Sequence, residues 1–332
     1  MILSRLLKTL FRKLAKQFQS NNLSIGGIKM ASFTAKDVQA LRQKTNVGMM
    51  DCKKALTEAE GDMDKAVEIL REKGLAAMAK KSGRVAAEGL VVAKIDENKK
   101  TGVVLEVNSE TDFVAKNQDF IDFVDEVAKT VLENNPATID ELNQCKMAAH
   151  NLTVAEALQE KILSIGENIQ IRRFVCLNGD LVSYVHGGGK IGVMVQFQTD
   201  LAGNEQFKAY AKDVAMQIAA SFPQYLSEEE VPAETVNKEK EILTAQAMNE
   251  GKPANIAEKM VAGRIKKFYK EICLLDQPFV KDNDINIAQY TQNVAKELDG
   301  SIQIIKFVRF ERGEGIEKKQ ENFADEIASM IQ

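Results

Sequence analysis

Apolar positions recur along this chain at two periods, about every three to four residues and every second residue, and the switches between them mark out its elements. From residue 34 three short helical patterns follow one another. The first opens at Thr34-Ala35-Lys36-Asp37, a capping-box-like start, and carries Val38 and Leu41. A turn at Thr45-Asn46-Val47-Gly48 precedes the second, which carries Met49, Met50, Cys52, Lys53 and Leu56. A turn at Gly61-Asp62 precedes the third, whose stripe of Ala66, Val67, Ile69 and Leu70 is closed by Gly74. Residues 79–84 read as a basic linker.

Beyond the linker the period shortens. Strand-like runs over 90–95 and 102–107 flank Asn98-Lys99-Lys100 and predict a hairpin. A helix over about 117–133 carries Phe120, Phe123, Val124, Val127 and Val131 on one face, and Asn134-Asn135-Pro136 ends it because proline removes a donor. Thr153-Val154-Ala155-Glu156 opens another helix. Strands over 169–177, 181–186 and 191–197 lie close enough in sequence to predict an antiparallel meander, and a helix over about 205–221 follows. Helical stretches over 234–249 and 254–275 are joined by Glu250-Gly251-Lys252-Pro253, which predicts an antiparallel helical hairpin. Its stripe is narrow: Val236, Ile242, Leu243 and Met248 face Ile256, Met260, Ile265, Phe268 and Ile272. A strand over 301–310 and a helix over about 317–331 close the chain. The order predicts an α+β fold: a basic extension over 1–31 outside the fold, a three-helix domain over 32–82, and core subdomains with antiparallel sheets over 86–170 and 171–312. The hairpin is inserted at about 232–275, and a terminal module with a C-terminal helix occupies 313–332.

Composition narrows the function classes. With 45% apolar and 28% charged residues the chain is ordinary for a globular protein, and a net charge of -4 argues against a general nucleic-acid binder. Its four cysteines show no C-x-x-C spacing, so neither a disulfide framework nor a zinc site is expected. Charge is uneven: residues 1–29 hold six basic groups and no acidic one, among leucines and phenylalanines at helical spacing. That segment reads as an organelle transit peptide or as an extension upstream of a start at Met30, and charges interrupt every apolar run, so it is no membrane span.

No catalytic constellation stands out. His150 and His186 lie in no ligand-spaced cluster, and neither H-E-x-x-H nor G-x-S-x-G occurs. Gly187-Gly188-Gly189-Lys190 fails as a phosphate loop, since Ile191 stands where Ser or Thr is required, and reads as a tight hairpin turn. Asp51 with Glu58, and Asp62 with Asp64, read as solvated faces and a cap rather than metal sites. No cofactor or metal is expected. At Thr111-Asp112-Phe113-Val114-Ala115-Lys116 a strand-like run passes into a helix, a place where a loop presents side chains on a rigid base. Taken as composition alone, this is an N-cap Asp with a Phe folded back onto the core.

Several motifs in order change that reading. Thr111 to Lys116 resembles the signature of the elongation factor Ts family, nucleotide exchange factors for the GTPase elongation factor Tu. Val47-Gly48-Met49-Met50-Asp51-Cys52-Lys53-Lys54-Ala55-Leu56 resembles the family's N-terminal signature, and Ile165-Gly166-Glu167-Asn168-Ile169, Arg172-Arg173, Tyr184, His186-Gly187 and Ile191-Gly192-Val193 resemble its middle. Ala257 to Val261, Lys266-Lys267-Phe268, Gln277-Pro278-Phe279-Val280 and Gly313 to Lys318 resemble its C-terminal half. The resemblance runs from about Ser32 to the end.

The resemblance implies a helical first domain of the ubiquitin-associated type and a non-enzymatic role. It implies that Thr111, Asp112, Phe113 and Val114 enter the G domain of elongation factor Tu and dislodge its Mg²⁺, so that GDP leaves during translation elongation. It implies further contacts from Val47, Met49, Met50 and Lys53, from His186 and Gly187, and from Gly313 and Ile316. The chain departs from the pattern at Gly188-Gly189-Lys190, where many members have an Ala and an Arg. Gly313 to Ile316 reads equally as a plain turn after a strand. A bacterial cytoplasmic setting is implied, or an organelle if residues 1–29 are a transit peptide; neither nucleic acid nor membrane is expected as a partner. The competing reading is a module that binds a peptide or a ubiquitin-like protein on an α+β scaffold.

Overall fold

The computed structural model describes residues 33–317 apart from Asn46, His150 and Lys252. The expected extension over 1–31 and the C-terminal helix therefore lie outside the described residues. The chain divides into two compact units, Met1–Leu70 and Arg71–Gln332.

The first unit holds α1 (Ala35–Thr45), α2 (Met49–Glu58) and the start of α3 (Met63–Lys81). The Thr34 amide and hydroxyl both donate to the Asp37 carboxylate, at 2.7 and 2.8 Å, which anchors the first turn of α1. Leu41, Val47, Cys52, Ala55, Leu56 and Ala66 form a small buried core. Gly74 does not close the third helix as expected. It lies inside α3, where even a Cβ would meet Gln159 only at an ordinary 3.5 Å, and the helix runs on through the first half of the expected linker to Lys81.

The second unit carries two three-stranded antiparallel sheets. β1 (Glu88–Asp96), β2 (Thr101–Ser109) and β3 (Gln170–Asn178) form the first. Between β2 and β3 come α4 (Asp112–Ala115), α5 (Gln118–Asn134), α6 (Ile139–Gln144) and α7 (Val154–Ile165), whose Thr153–Glu156 capping box forms as its sequence predicts. Phe120, Phe123, Val124, Val127 and Val131 of α5 pack on Val103, Leu105 and Val107 of β2. The second sheet, in the order β4–β5–β8, is built from β4 (Asp180–His186), β5 (Ile191–Thr199) and β8 (Ile302–Glu311), with α8 (Glu205–Ser221) packed against it. Val91 and Val104 of one sheet meet Met194, Val308 and Phe310 of the other in a shared core.

The meander expected from the middle strands is thus incorrect. β3 pairs with β2, and only after Gly179, at φ 114°, does the chain enter the other sheet as β4. The change of sheet falls beyond the 170/171 boundary read from the sequence. Close spacing favours pairing of neighbours, but β3 is claimed by the long apolar ladder of β2.

The helical hairpin forms from α9 (Ala233–Asn249) and α10 (Ala254–Ile272). Its seam is narrower than the sequence list. Leu243, Ala247, Ala257, Val261 and Ile265 are buried, whereas Ile242, Met248 and Ile256 are exposed. Ile242 and Leu243 are neighbours about 100° apart on the helix, so only one of them can face the opposite helix. Short strands β6 (Pro278–Phe279) and β7 (Asp282–Asn286) lead into α11 (Ile287–Glu297), which was not anticipated; an Asn286–Gln289 capping box marks its start.

One buried charge ties the second unit together. Glu106 of β2 has no exposed surface. The β2–β3 register shifts there: Glu106 pairs with Arg173 and Val107 with Ile171, which leaves Arg172 as an extra residue. Such a bulge brings two consecutive side chains to one side. Arg172 donates to Glu106 Oε1 at 3.0 Å and Arg173 Nε to Oε2 at 2.6 Å. The Gly313 amide donates to Oε1 at 2.7 Å, so the turn after β8 is bound to the other sheet. Gly313 has φ 69°, and a Cβ there would lie 2.2 Å from the Ala87 carbonyl oxygen; no other residue fits.

Burial alone would push the Glu106 carboxyl upward, but the Gly313 amide and the two guanidiniums outweigh it and hold the pKa below its ordinary 4.5. Its contribution to stability is therefore complete above the ordinary carboxylate range and is lost as pH falls through the depressed value. Glu106→Gln should lower the unfolding free energy by on the order of 3 kcal/mol in denaturant melts at neutral pH. The variant should also lose less further stability than the parent between about pH 5 and pH 3.

Candidate partner-binding site

β2 ends at Ser109, and after two intervening residues the single-turn helix α4 begins. Thr111, not Asp112, is its N-cap: the Thr111 hydroxyl accepts from the Val114 amide at 3.4 Å. Lys116 and Asn117 donate back to the carbonyls of Phe113 and Val114, which closes the turn. The chain thus reverses tightly between two elements that share one core.

Within this turn the four side chains have different environments. Val114 is buried in the cluster beneath α5. Thr111 is half-buried and hydrogen-bonded on both sides. Asp112 is half-exposed and lies 2.6 Å from the Lys116 ammonium, which holds its carboxyl below the usual range by hydrogen bonding and keeps it charged at neutral pH. Phe113 points outward with 81% of its surface exposed. The expectation from composition, a Phe folded back onto the core, is thereby overturned: the core position of this turn goes to Val114. Val114 in turn cannot reach a partner with its side chain and serves to anchor the loop.

The remaining predicted contacts fall in three places. In the first unit Val47 is buried, while Met49 and Met50 are both exposed, at 51% and 63%, and Lys53 is exposed beside them. α2 buries Cys52, Ala55 and Leu56 instead, which turns its first two residues to solvent. In the second unit His186 and Gly187 stand exposed at the β4–β5 turn. The Tyr184 hydroxyl lies 3.0 Å from His186 Nδ1 and fixes the ring. Gly187, Gly188 and Gly189 all take left-handed φ, as a tight hairpin turn needs. The third place is the turn after β8. Gly313 is committed to Glu106 and Ala87, which supports the plain-turn reading of that residue; Ile316 is half-buried.

The last two places are joined. The Arg312 amide donates to the Lys190 carbonyl at 2.9 Å, and the Val91 amide to the Gly189 carbonyl at 2.8 Å. Arg312 is also close enough to lower the Asp112 pKa further. The residues that the site reading missed are the ones that hold the loop: Glu110, Glu167 and Asn168. Glu167 and Asn168 lie far along the chain, and nothing in their spacing marks the contact. Among the described residues no group of three His, Cys, Asp or Glu side chains is arranged to hold a metal, and no helix is long and apolar enough to cross a membrane.

The family model described as elongation factor TS matches residues 110–314, more than half of the chain and all of this loop. Over 301 residues the chain is 54% identical to elongation factor Ts of Clostridium botulinum strain Alaska E43, covering 90% of this chain and 99% of that one. Over 300 residues it is 55% identical to elongation factor Ts of Clostridium perfringens strain ATCC 13124, covering 90% and 98%. The chain belongs to the elongation factor Ts family. It is accordingly a translation elongation factor, and its mixed helices and antiparallel sheets are consistent with that family.

The exposure of Phe113 yields a stability contrast at adjacent positions. Phe113→Ala should leave the unfolding free energy within about 0.5 kcal/mol of the parent. Val114→Ala, one residue on, should cost about 2 kcal/mol in the same denaturant titration.

Proposed function

We propose that this protein is a guanine nucleotide exchange factor for elongation factor Tu, and that the Asp112–Phe113 turn is its wedge. The observation that carries the reading is the exposed Phe113 ring on a turn whose neighbours are all anchored. A large apolar ring held out in water has little stabilising role in the free protein, and it buries a large area at low rotamer cost once a partner closes over it.

Exchange requires no covalent step. A protein that binds the GTPase better without nucleotide than with it weakens nucleotide binding by the same factor. The difference must come from contacts that distort the partner's phosphate and Mg²⁺ sites. In this reading Phe113 parts two packed elements of the G domain, and Asp112, released from or shared with Lys116, captures donors in the displaced loop. Thr111 and Val114 hold the turn in place. Met49, Met50 and Lys53 add a second contact, and His186, Gly187 and Ile316 flank others. The partner is the GDP-bound or nucleotide-free GTPase, in a bacterial cytoplasm.

The two exposed methionines of the first unit would equally suit a module that takes up a peptide or a ubiquitin-like protein. One measurement separates the readings: release of a fluorescent GDP analogue from purified elongation factor Tu. The parent should accelerate release strongly, and Phe113→Ala should cut the acceleration by about tenfold or more, as for the central aromatic of an interface. No acceleration by the parent, with a partner shown to hold Mg²⁺ and GDP, would favour the binding-module reading.

A further inference from the structure

The turn that carries Phe113 is held from outside its own segment. The Glu167 carboxylate accepts three hydrogen bonds from it: from the Glu110 amide at 3.1 Å, from the Thr111 amide at 3.1 Å, and from the Thr111 hydroxyl at 2.7 Å. The last bond orients the hydroxyl. With its proton committed to Glu167, Thr111 Oγ1 presents a lone pair to the Val114 amide, which is the cap of α4. The clasp is reciprocal. The Glu110 carboxylate accepts from the Asn168 amide at 2.6 Å and from Arg84 at 3.4 Å, while the Asn168 side chain donates to the Arg84 carbonyl at 2.8 Å. Glu167 and Asn168 follow Gly166, the left-handed residue that ends α7, so a helix terminus fixes their position.

We propose that Glu167 is a positioning residue for nucleotide exchange: it presets the Thr111–Val114 turn in the conformation from which Phe113 enters the GTPase. This rests on the exchange reading above. Without Glu167 two backbone amides and a hydroxyl would turn to water, and the turn would sample other conformations before each insertion. Ordering it would then take place on the partner, at the expense of the distortion it produces. Both carboxylate oxygens are used, so Gln, with one acceptor and one donor end, can replace only part of the clasp. Asp keeps both acceptors but is one methylene shorter.

The experiment compares Glu167→Ala and Glu167→Gln in the full-length protein, each alone and combined with Phe113→Ala. Amide hydrogen exchange on the free protein reads the clasp directly. Exchange over residues 110–114 should speed up by about tenfold or more in Glu167→Ala, and less in Glu167→Gln, while the α5 core amides stay protected. In GDP release from elongation factor Tu, Glu167→Ala should lower the rate at saturating factor by about tenfold and shift the half-saturating concentration by less than about threefold, as misplacement of a reacting group does. In the Phe113→Ala background the same substitution should cost less than about twofold, because both changes act through one ring. Full additivity of the two losses, or unchanged amide exchange at 110–114, would overturn the proposal. If the parent itself fails to release GDP, the exchange reading falls and the positioning role with it, while the amide data still report whether the clasp exists.

Discussion

A carboxylate shut away from solvent must find its full set of donors inside the protein, and in the second unit Glu106 finds them on three different segments. Arg172 and Arg173 come from β3, the Gly313 amide from the turn after β8, and the Asn108 side-chain amide, at 3.1 Å, from β2 itself. Arg173 goes on to Glu314 and lies over the Phe310 ring, so the charge network reaches the end of the second sheet. The bulge that admits both arginines, the glycine that fits against Ala87, and the seating of the terminal turn are all conditions for one buried anion to be satisfied. Apolar packing between the sheets is permissive of small slips. A carboxylate with directional partners is far less so.

That constraint sits on the central strand of the first sheet, and the same strand delivers the candidate site. β2 carries Glu106 midway and ends at Ser109, and the Thr111–Val114 turn follows at once. Of the groups in the turn, Val114 is in the core, Thr111 is bonded on both sides, and Asp112 is engaged by Lys116. Of the four side chains the Phe113 ring is the most exposed. Its availability is a consequence of the saturation of its neighbours.

Where period and end signals agreed, the fold was legible in the sequence. The α5 stripe, the Thr153–Glu156 capping box and the β1–β2 and β4–β5 hairpins follow from local spacing, because neighbours in the chain decide them. The partner of β3 was not legible: its alternation is compatible with either sheet, and the choice is made by a ladder formed far away in the sequence. Gly74 misled because a glycine within a helix costs only about 1 kcal/mol, and Leu75, Ala76, Ala77 and Met78 beyond it are good helix formers. At the site, local composition pointed Phe113 inward, and only the multi-residue resemblance pointed it outward. The support of the turn was illegible for the same reason as β3: Glu167 meets Thr111 across four intervening helices, and the Ile165–Ile169 motif marks the family without marking that contact.

The crossing at Gly179 has a mechanical meaning. One residue separates the end of β3 in the first sheet from the start of β4 in the second, and the Gly313 amide ties the far end of the second sheet back to β2. The sheets are thus stapled at two separate places, and shear between them is blocked at both. A load pressed on the Phe113 ring passes straight into β2 and from there into both sheets. The turn that bears that ring is therefore rooted in a strand bound to both sheets.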